Sequence, residues 1–296
     1  MKQRTAALAV GSNSALILLK VIAGILTGSV AILTEAVHSG VDLIASLVAF
    51  VSVRKAEAPA DESHAYGHEK VENLAAALEA ILILVGSAAI ALAAARRLIS
   101  GGQTHTLGLG IGVIGFSAIT NLIISGVIAR GGRRTASPAL EGDALHLRTD
   151  ALSSLVVLVA LIAEDVTSKQ WIDPVAALLV SGAIVITGVR LLIRSGGVLV
   201  DHSLPPAQTA AIGSVIQSFS ERGVVGYHEL RTRSAGSQRY VDVHVQFRAG
   251  ISLEDAHRTA HELQDQIVTA LGGADVLIHL EPEERLRPGQ ESLTPG

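Results

Sequence analysis

Six apolar stretches, each close to the length of a membrane crossing, constrain this chain more than any other feature. They run over residues 6–27, 30–53, 74–99, 107–129, 140–163 and 173–194. A hydrocarbon core takes about 20 helical residues to cross. In lipid every backbone N–H and C=O must find a partner within the protein, so runs of this length read as helices. Mean hydropathy of +0.47 agrees. So does a charged fraction of 17%, against about 25% in a soluble domain. The start, Met1-Lys2-Gln3-Arg4, looks like the basic end of a signal peptide. The apolar run behind it reaches Leu26, which is spanning rather than signal length.

The predicted fold class is a membrane α-helical bundle of six transmembrane helices plus a cytoplasmic α+β domain. The expected domains are 1–196, the membrane part; 197–284, a soluble α-β-β-α-β unit; and 285–296, a polar disordered tail. In the soluble part, Pro206–Arg222 has helical periodicity, and Val224–Arg233 and Arg239–Phe247 read as strands joined by a turn at 234–237. Tyr240, Val241, Val243, Val245 and Phe247 share the second strand with Asp242, His244 and Gln246 in near-perfect alternation. Ser252–Leu271 is a helix opened by a Ser cap and closed by Gly272-Gly273. Asp275–Leu280 is a last strand, and the order suggests both helices on one face of a small sheet. Loop charges give the orientation. Lys2, Arg4, Arg54, Lys55, Lys70, Arg130, Arg133, Arg134, Arg190 and Arg194 fall on one side, and Arg96, Arg97 and Lys169 on the other. The richer side is cytoplasmic, which puts both termini inside the cell.

Two of the six stretches are impure in the same way. Glu35-Ala-Val-His38-Ser-Gly-Val-Asp42 and Asp143-Ala-Leu-His146-Leu-Arg-Thr-Asp150 both read acid-x-x-His-x-x-x-Asp. On a helix these positions share one face. Two such faces offer two nitrogens and two oxygens, enough for a tetrahedral Zn²⁺ site. An ionisable group at the bilayer centre costs ~2.5–3.5 kcal/mol, so four together amount to roughly ten. Structural hydrogen bonding explains a lone group of this kind better than a repeated pair. Glu35 and Asp143, one turn outside the pairs, read as membrane-boundary or water-facing acids. Cysteine is absent, so metal ligands must come from His, Asp and Glu, which favours borderline or hard divalent ions. A net charge of -4 and the lack of a basic patch point away from nucleic acid.

Gly24, Gly28-Ser29, His38 and Asp42, then His146–Asp150 with Ala-Leu-Ser-Ser behind it, and Trp171-Ile-Asp173-Pro174 together resemble the cation diffusion facilitator family. The resemblance, of the bacterial zinc/iron-efflux type, covers nearly the whole chain. It implies a homodimeric divalent-cation/proton antiporter of the inner (plasma) membrane with a metallochaperone-like C-terminal domain, and no enzyme activity. It implies zinc preference where both helices carry a His-Asp pair, and manganese preference where only carboxylates stand.

Asp61, His64 and His68 could chelate an ion around the Tyr66-Gly67 bend, or simply form a solvated loop. The resemblance implies a second, more exposed zinc site there. It also implies that His228, His244, His257, His279 and Glu281 bind a regulatory zinc pair near the dimer interface, and that Lys70 and Asp201 join an ion-pair network. Leu280 and Glu281 depart from the family's common residues, which leaves the ion number open. His105 and His202 are unassigned, His261 forms an i, i+4 pair with His257, and the loop 131–138 carries no histidine to gather metal.

Transport would proceed by alternating access. Metal binds deprotonated ligands and so competes with protons, for which histidine is suited because its unperturbed pKa is about 6.5. A membrane-anchored metal sensor is the alternative from another class. Cd²⁺, Fe²⁺, Co²⁺ or Mn²⁺ are alternative cargoes.

Overall fold

The structure, a computed structural model, describes residues 2–27, 30–100, 108–167, 171–283 and 291–292, though not every side chain of the membrane-type helices. The chain divides into two units, Met1–Gly196 and Gly197–Gly296.

The first unit is six helices: α1 (Lys2–Thr27), α2 (Val30–Ala56), α3 (Lys70–Ser100), α4 (Gly108–Thr135), α5 (Pro138–Thr167) and α6 (Ile172–Leu199). The shortest has 26 residues and the longest 31, so at ~1.5 Å per residue each outreaches a hydrocarbon core. Each extends a few residues past its apolar run at one end or both, because the polar flanks continue the helical hydrogen bonding. Among the described residues three stretches are long and apolar enough to cross a membrane: Lys2–Ile22, Lys70–Arg96 and Pro174–Leu199. The first half of α5 departs from that pattern because Glu141, Asp143, Arg148 and Asp150 fall within it.

Small residues face inward and large ones outward. The core joining α1, α2, α3, α4 and α5 is built from Ala6, Ala9, Ala49, Ala75, Ala139 and Ala144 with Val53, Ile128, Leu140 and Leu147. Leu18, Ile25, Ile44, Val85, Leu179 and Ile193 are exposed. Lipid tails are as apolar as leucine, so close backbone approach and interhelical hydrogen bonds supply the packing. Ser87 and Ser181 illustrate the second: their hydroxyls lie 3.0 Å apart and each also reaches the other's carbonyl, joining α3 to α6. Near the helix ends, Lys2 Nζ donates to Glu72 Oε1 at 2.9 Å, and the Ser137 hydroxyl donates to Glu72 Oε2.

The second unit packs α7 (Pro206–Gln217) and α8 (Leu253–Leu271) against a sheet of β1 (Val224–Ala235), β2 (Gln238–Phe247), β3 (Asp275–Pro282) and β4 (Glu291–Ser292). Strand order is β3-β2-β1-β4. β1 and β2 form an antiparallel hairpin about Gly236 (φ 55) and Ser237, and β3 joins β2 in parallel after the α8 crossover. Val241, Val243 and Val245 face the helices and pack with Ile212, Ile216, Leu263 and Ile267. By alternation His244 stands on the other face.

The first soluble helix is shorter than its periodicity suggests. α7 ends at Gln217, a 3-10 turn covers Ser220–Arg222, and Gly223 (φ 95) supplies the left-handed residue that leads into β1. The cap of α8 is as expected: the Ser252 hydroxyl accepts from the Asp255 amide at 3.1 Å, and Gly272 (φ 69) closes the helix. Of the segment expected to be tail, Glu291–Ser292 pair with Tyr227 and Gly226, because the outer edge of β1 offers free backbone groups. Its other members lie outside the described residues, apart from that pair.

Candidate metal centres

Helices α2 and α5 bring Asp42, His146 and Asp150 together. His146 Nε2 lies 3.5 Å from Asp42 Oδ1 and 3.5 Å from Asp150 Oδ2. One ligand atom from each of the three lies within 4.8 Å of the others. Hydrogen bonds do not explain this spacing. Asp42 Oδ1 and both ring nitrogens of His146 are buried without a hydrogen-bond partner among the described residues. A tetrahedral ion with bonds of ~2.0–2.1 Å holds neighbouring ligand atoms about 3.3 Å apart. The donors are thus spaced for an ion between them. His38 lies on α2, one helical turn before Asp42, and its side chain lies outside the described residues, as does that of Glu35.

Asp143 is not the boundary acid its position suggested. It is fully buried and accepts from the Ser46 hydroxyl at 2.6 Å. Ser46 in turn accepts from Asn13, whose amide also reaches the Asp42 carbonyl at 3.3 Å. Glu79 of α3, also fully buried, lies against Gly142, where a Cβ would run into its carboxylate. The bare glycine leaves room for that group. A single acid in the apolar middle of α3 gave no periodic signal, so the sequence did not single out Glu79.

Asp61, His64 and His68 meet in the loop before α3. His64 Nδ1 is 3.2 Å from Asp61 Oδ1, and His68 Nε2 is 3.2 Å from Asp61 Oδ2. Gly67 (φ 83) makes the bend that returns His68 to the aspartate, and the two imidazole rings sit 4.5 Å apart. His68 is buried, whereas Asp61 and His64 are exposed. The Ser63 hydroxyl, then the His64 amide and ring and the Ser63 amide, hold the Asp61 carboxyl well below its ordinary range against a smaller opposing effect of burial. The carboxylate is therefore already charged for a cation.

In the second unit, cross-strand register does the positioning. His228 of β1 pairs with His244 of β2, which pairs with His279 of β3, so three histidines form a row on the face away from the helices. Glu281 lies among them. Its Oε2 meets His228 Nε2 at 2.8 Å and its Oε1 meets His244 Nδ1 at 3.0 Å. His279 Nε2 is 3.7 Å from Glu281 Oε1. The His228 contact first, with His244 behind it, lowers the Glu281 pKa against burial. A bulge between His228 and Arg231 places Glu229 at φ 50, with its Oε2 3.7 Å from His244 Nε2. Bulges re-aim side chains in this way.

His257 is not drawn into this row within one chain. It is exposed on α8, where its Nε2 lies 3.1 Å from that of His261. The buried face of α8 is Ala256, Thr259, Ala260, Leu263, Ile267 and Leu271, on the core side of the sheet. Asp201 (φ 59) lies 3.6 Å from Arg233, and Lys70 opens α3. His105 lies outside the described residues.

A helical unit with buried metal-type donors, followed by a small sheet with a second donor set, defines a membrane protein that handles cations. The family described as cation efflux transmembrane domain matches residues 6–200, and that described as cation efflux protein, cytoplasmic domain, matches 204–283. The chain therefore belongs to the cation diffusion facilitator family and is a cation efflux transporter rather than an enzyme. Its fold is the helical transmembrane domain plus the cytoplasmic α+β domain expected from the sequence. It is 36% identical over 279 residues to the uncharacterized transporter sll1263 of Synechocystis sp., covering 94% of this chain and 90% of the relative. It is 33% identical over 281 residues to the cation-efflux pump FieF of Salmonella schwarzengrund, covering 94% and 92%. A solved structure of CzrB in its zinc form is 31% identical over 29% of this chain and 98% of the other, with a TM-score of 0.28.

Proposed function

We propose that this transporter moves divalent metal, Zn²⁺ first among them, out of the cytoplasm in exchange for protons. The carrying observation is the meeting of buried Asp42 and His146 with half-buried Asp150, where His146 Nε2 lies 3.5 Å from an oxygen of each carboxylate and Asp42 Oδ1 and both His146 ring nitrogens have no hydrogen-bond partner among the described residues. His38, one turn before Asp42 on α2, is the proposed fourth donor. Mixed nitrogen and oxygen donors suit Zn²⁺ and Cd²⁺, while Co²⁺ and Fe²⁺ remain weaker competitors. The cation-efflux pump among the relatives supports the outward direction.

In the proposed cycle the ion enters from the cytoplasm between α2 and α5 when the carboxylates are charged and the imidazoles neutral. The helices tilt to open the site outward, where protons displace the ion, and the protonated site returns. Both termini lie in the cytoplasm, and all six helices cross the inner membrane. The chain acts as a homodimer through its cytoplasmic domain. The row His228, His244 and His279 with Glu281 takes regulatory Zn²⁺, as does the Asp61, His64 and His68 loop. His257 serves that region through its place on α8.

Reconstituted vesicles test the coupling. An acidic lumen drives Zn²⁺ uptake by molecules whose cytoplasmic face is outward. Collapse of the gradient with unchanged metal flux would refute proton exchange. Flux of Mn²⁺ in preference to Zn²⁺ would refute the cargo.

A further inference from the structure

Where α4 ends, α5 begins and α6 ends, the three helices leave a cavity of about 410 Å³. Four guanidinium groups line it: Arg133 on α4, Arg148 on α5, and Arg190 and Arg194 on α6. One carboxylate, Glu141, answers them, and it is taken by Arg194 at 2.9 Å. Among the described residues no hydrogen bond or ion pair holds Arg133, Arg148 or Arg190. Ala129, Ala144, Leu145 and Leu191 supply the rest of most of the wall. This is an apolar-walled recess with an excess of positive charge, built from donors that match phosphate geometry.

The surroundings say what kind of anion fits. Deeper along the same helices, on the faces that carry Arg133 and Arg190, Ile119 and Leu122 of α4 and Ala183 of α6 are exposed. Charge at the helix ends and an apolar track leading away from it suit a molecule with an anionic head and hydrocarbon tails. A free phosphate would use the arginines and leave the track idle.

We propose that this cavity binds the phosphate-bearing headgroup of an anionic phospholipid, with its acyl chains along α4 and α6. The headgroup would lie in the cytoplasmic leaflet, which rests on the orientation proposed above; the site itself does not. Arg148 stands on α5 between His146 and Asp150, so a headgroup held by Arg148, Arg133 and Arg190 would join the helix of the cargo site to both its neighbours. Lipid composition would thereby bear on how α5 moves.

The test is native mass spectrometry of the detergent-purified full chain with dioleoyl phosphatidylglycerol or dioleoyl phosphatidylcholine added. Phosphatidylglycerol adducts are expected to outnumber phosphatidylcholine adducts. Affinity is expected to fall about fivefold for each charge removed in Arg133→Gln and Arg190→Gln, the weight of one basic residue at an anionic surface. Arg96→Gln, at the far end of α3, removes the same charge elsewhere and should leave binding unchanged. Both single variants are judged alongside the double, so a misfolded double variant does not decide the matter. Equal binding of the two lipids, or unchanged binding in Arg133→Gln and Arg190→Gln, overturns the proposal. Loss of the phosphatidylglycerol preference when inorganic phosphate alone is added overturns the lipid and leaves a soluble-anion site. None of these readouts involves metal flux. Lipid selectivity in a protein that moves no Zn²⁺ would overturn the proposed function and leave this site standing.

Discussion

The donor sets in the membrane unit and in the cytoplasmic unit use the same residue types and treat them oppositely. His146 Nε2 stands 3.5 Å from Asp42 Oδ1 and from Asp150 Oδ2, and Asp42 Oδ1 and both His146 ring nitrogens are buried without a hydrogen-bond partner among the described residues. Glu281 meets His228 and His244 at 2.8 and 3.0 Å and satisfies both without an ion. In lipid no water can substitute for a missing partner, so a cation or a proton between Asp42 and His146 would satisfy these atoms. The Glu281 contacts rest on themselves, and a metal would have to displace them. Unsatisfied donors would suit cargo that comes and goes, and satisfied ones an ion that reports concentration.

Breaking the membrane set should have the largest effect. Asp150→Ala is expected to reduce Zn²⁺ flux in vesicles by more than the ~100-fold that loss of an outer-shell partner costs, with the protein still inserted. Ordinary flux in that variant would remove Asp150 from the site. Glu281→Ala should leave flux at saturating metal nearly intact. It should loosen the cytoplasmic domain by ~1 kcal/mol, because His228 and His244 lose a half-buried charged acceptor. Hydrogen exchange over β1–β3 in the full chain reads that loss.

Acid should sharpen the contrast. The folded-state pKa of Glu281 is depressed, chiefly by His228. Its contribution to stability is present above the ordinary carboxylate pKa and disappears as pH falls through the lowered value. Protection in β1–β3 is therefore expected to weaken on acidification in the natural chain and to weaken less in Glu281→Ala. Equal pH dependence in the two would sever the link. The smallest effect belongs to Glu229→Gly. It removes a left-handed strain of order 1 kcal/mol together with the 3.7 Å approach to His244. The domain should become slightly more stable while its affinity for Zn²⁺ falls, measured by thermal unfolding with and without metal.

The helices and most donors were legible because both signals are local. An apolar run of spanning length has one structural outcome in lipid, and His-x-x-x-Asp puts its two ends on one helical face. What local patterns leave out depends on pairing across distance. The resemblance groups His228, His244, His279 and Glu281, but nothing local says that the three histidines share a row, since that follows from register set by the Gly236-Ser237 turn and the α8 crossover. The bulge that turns Glu229 toward His244 is equally invisible to a period of two. The resemblance places His257 with the same zinc pair near the dimer interface; within one chain α8 buries its other face and leaves His257 beside His261. Asp143 looked like a boundary acid from its place in α5. Its burial depends on Ser46 of α2 meeting it, and Glu79 depends on the missing Cβ of Gly142.

The alanine seam has a consequence for how such a chain can change over time. Ala6, Ala9, Ala49, Ala75, Ala139 and Ala144 leave the helices almost no slack where they touch, and a helix that must tilt needs a smooth surface to tilt against. One added methyl there wedges two backbones apart, and no neighbour can shrink to absorb it. On the outward side, a leucine exchanged for a valine meets only fluid. Two rates of drift should therefore be written around each helix: slow on the seam and fast on the lipid face, with the mechanical requirement rather than the metal setting the slow one.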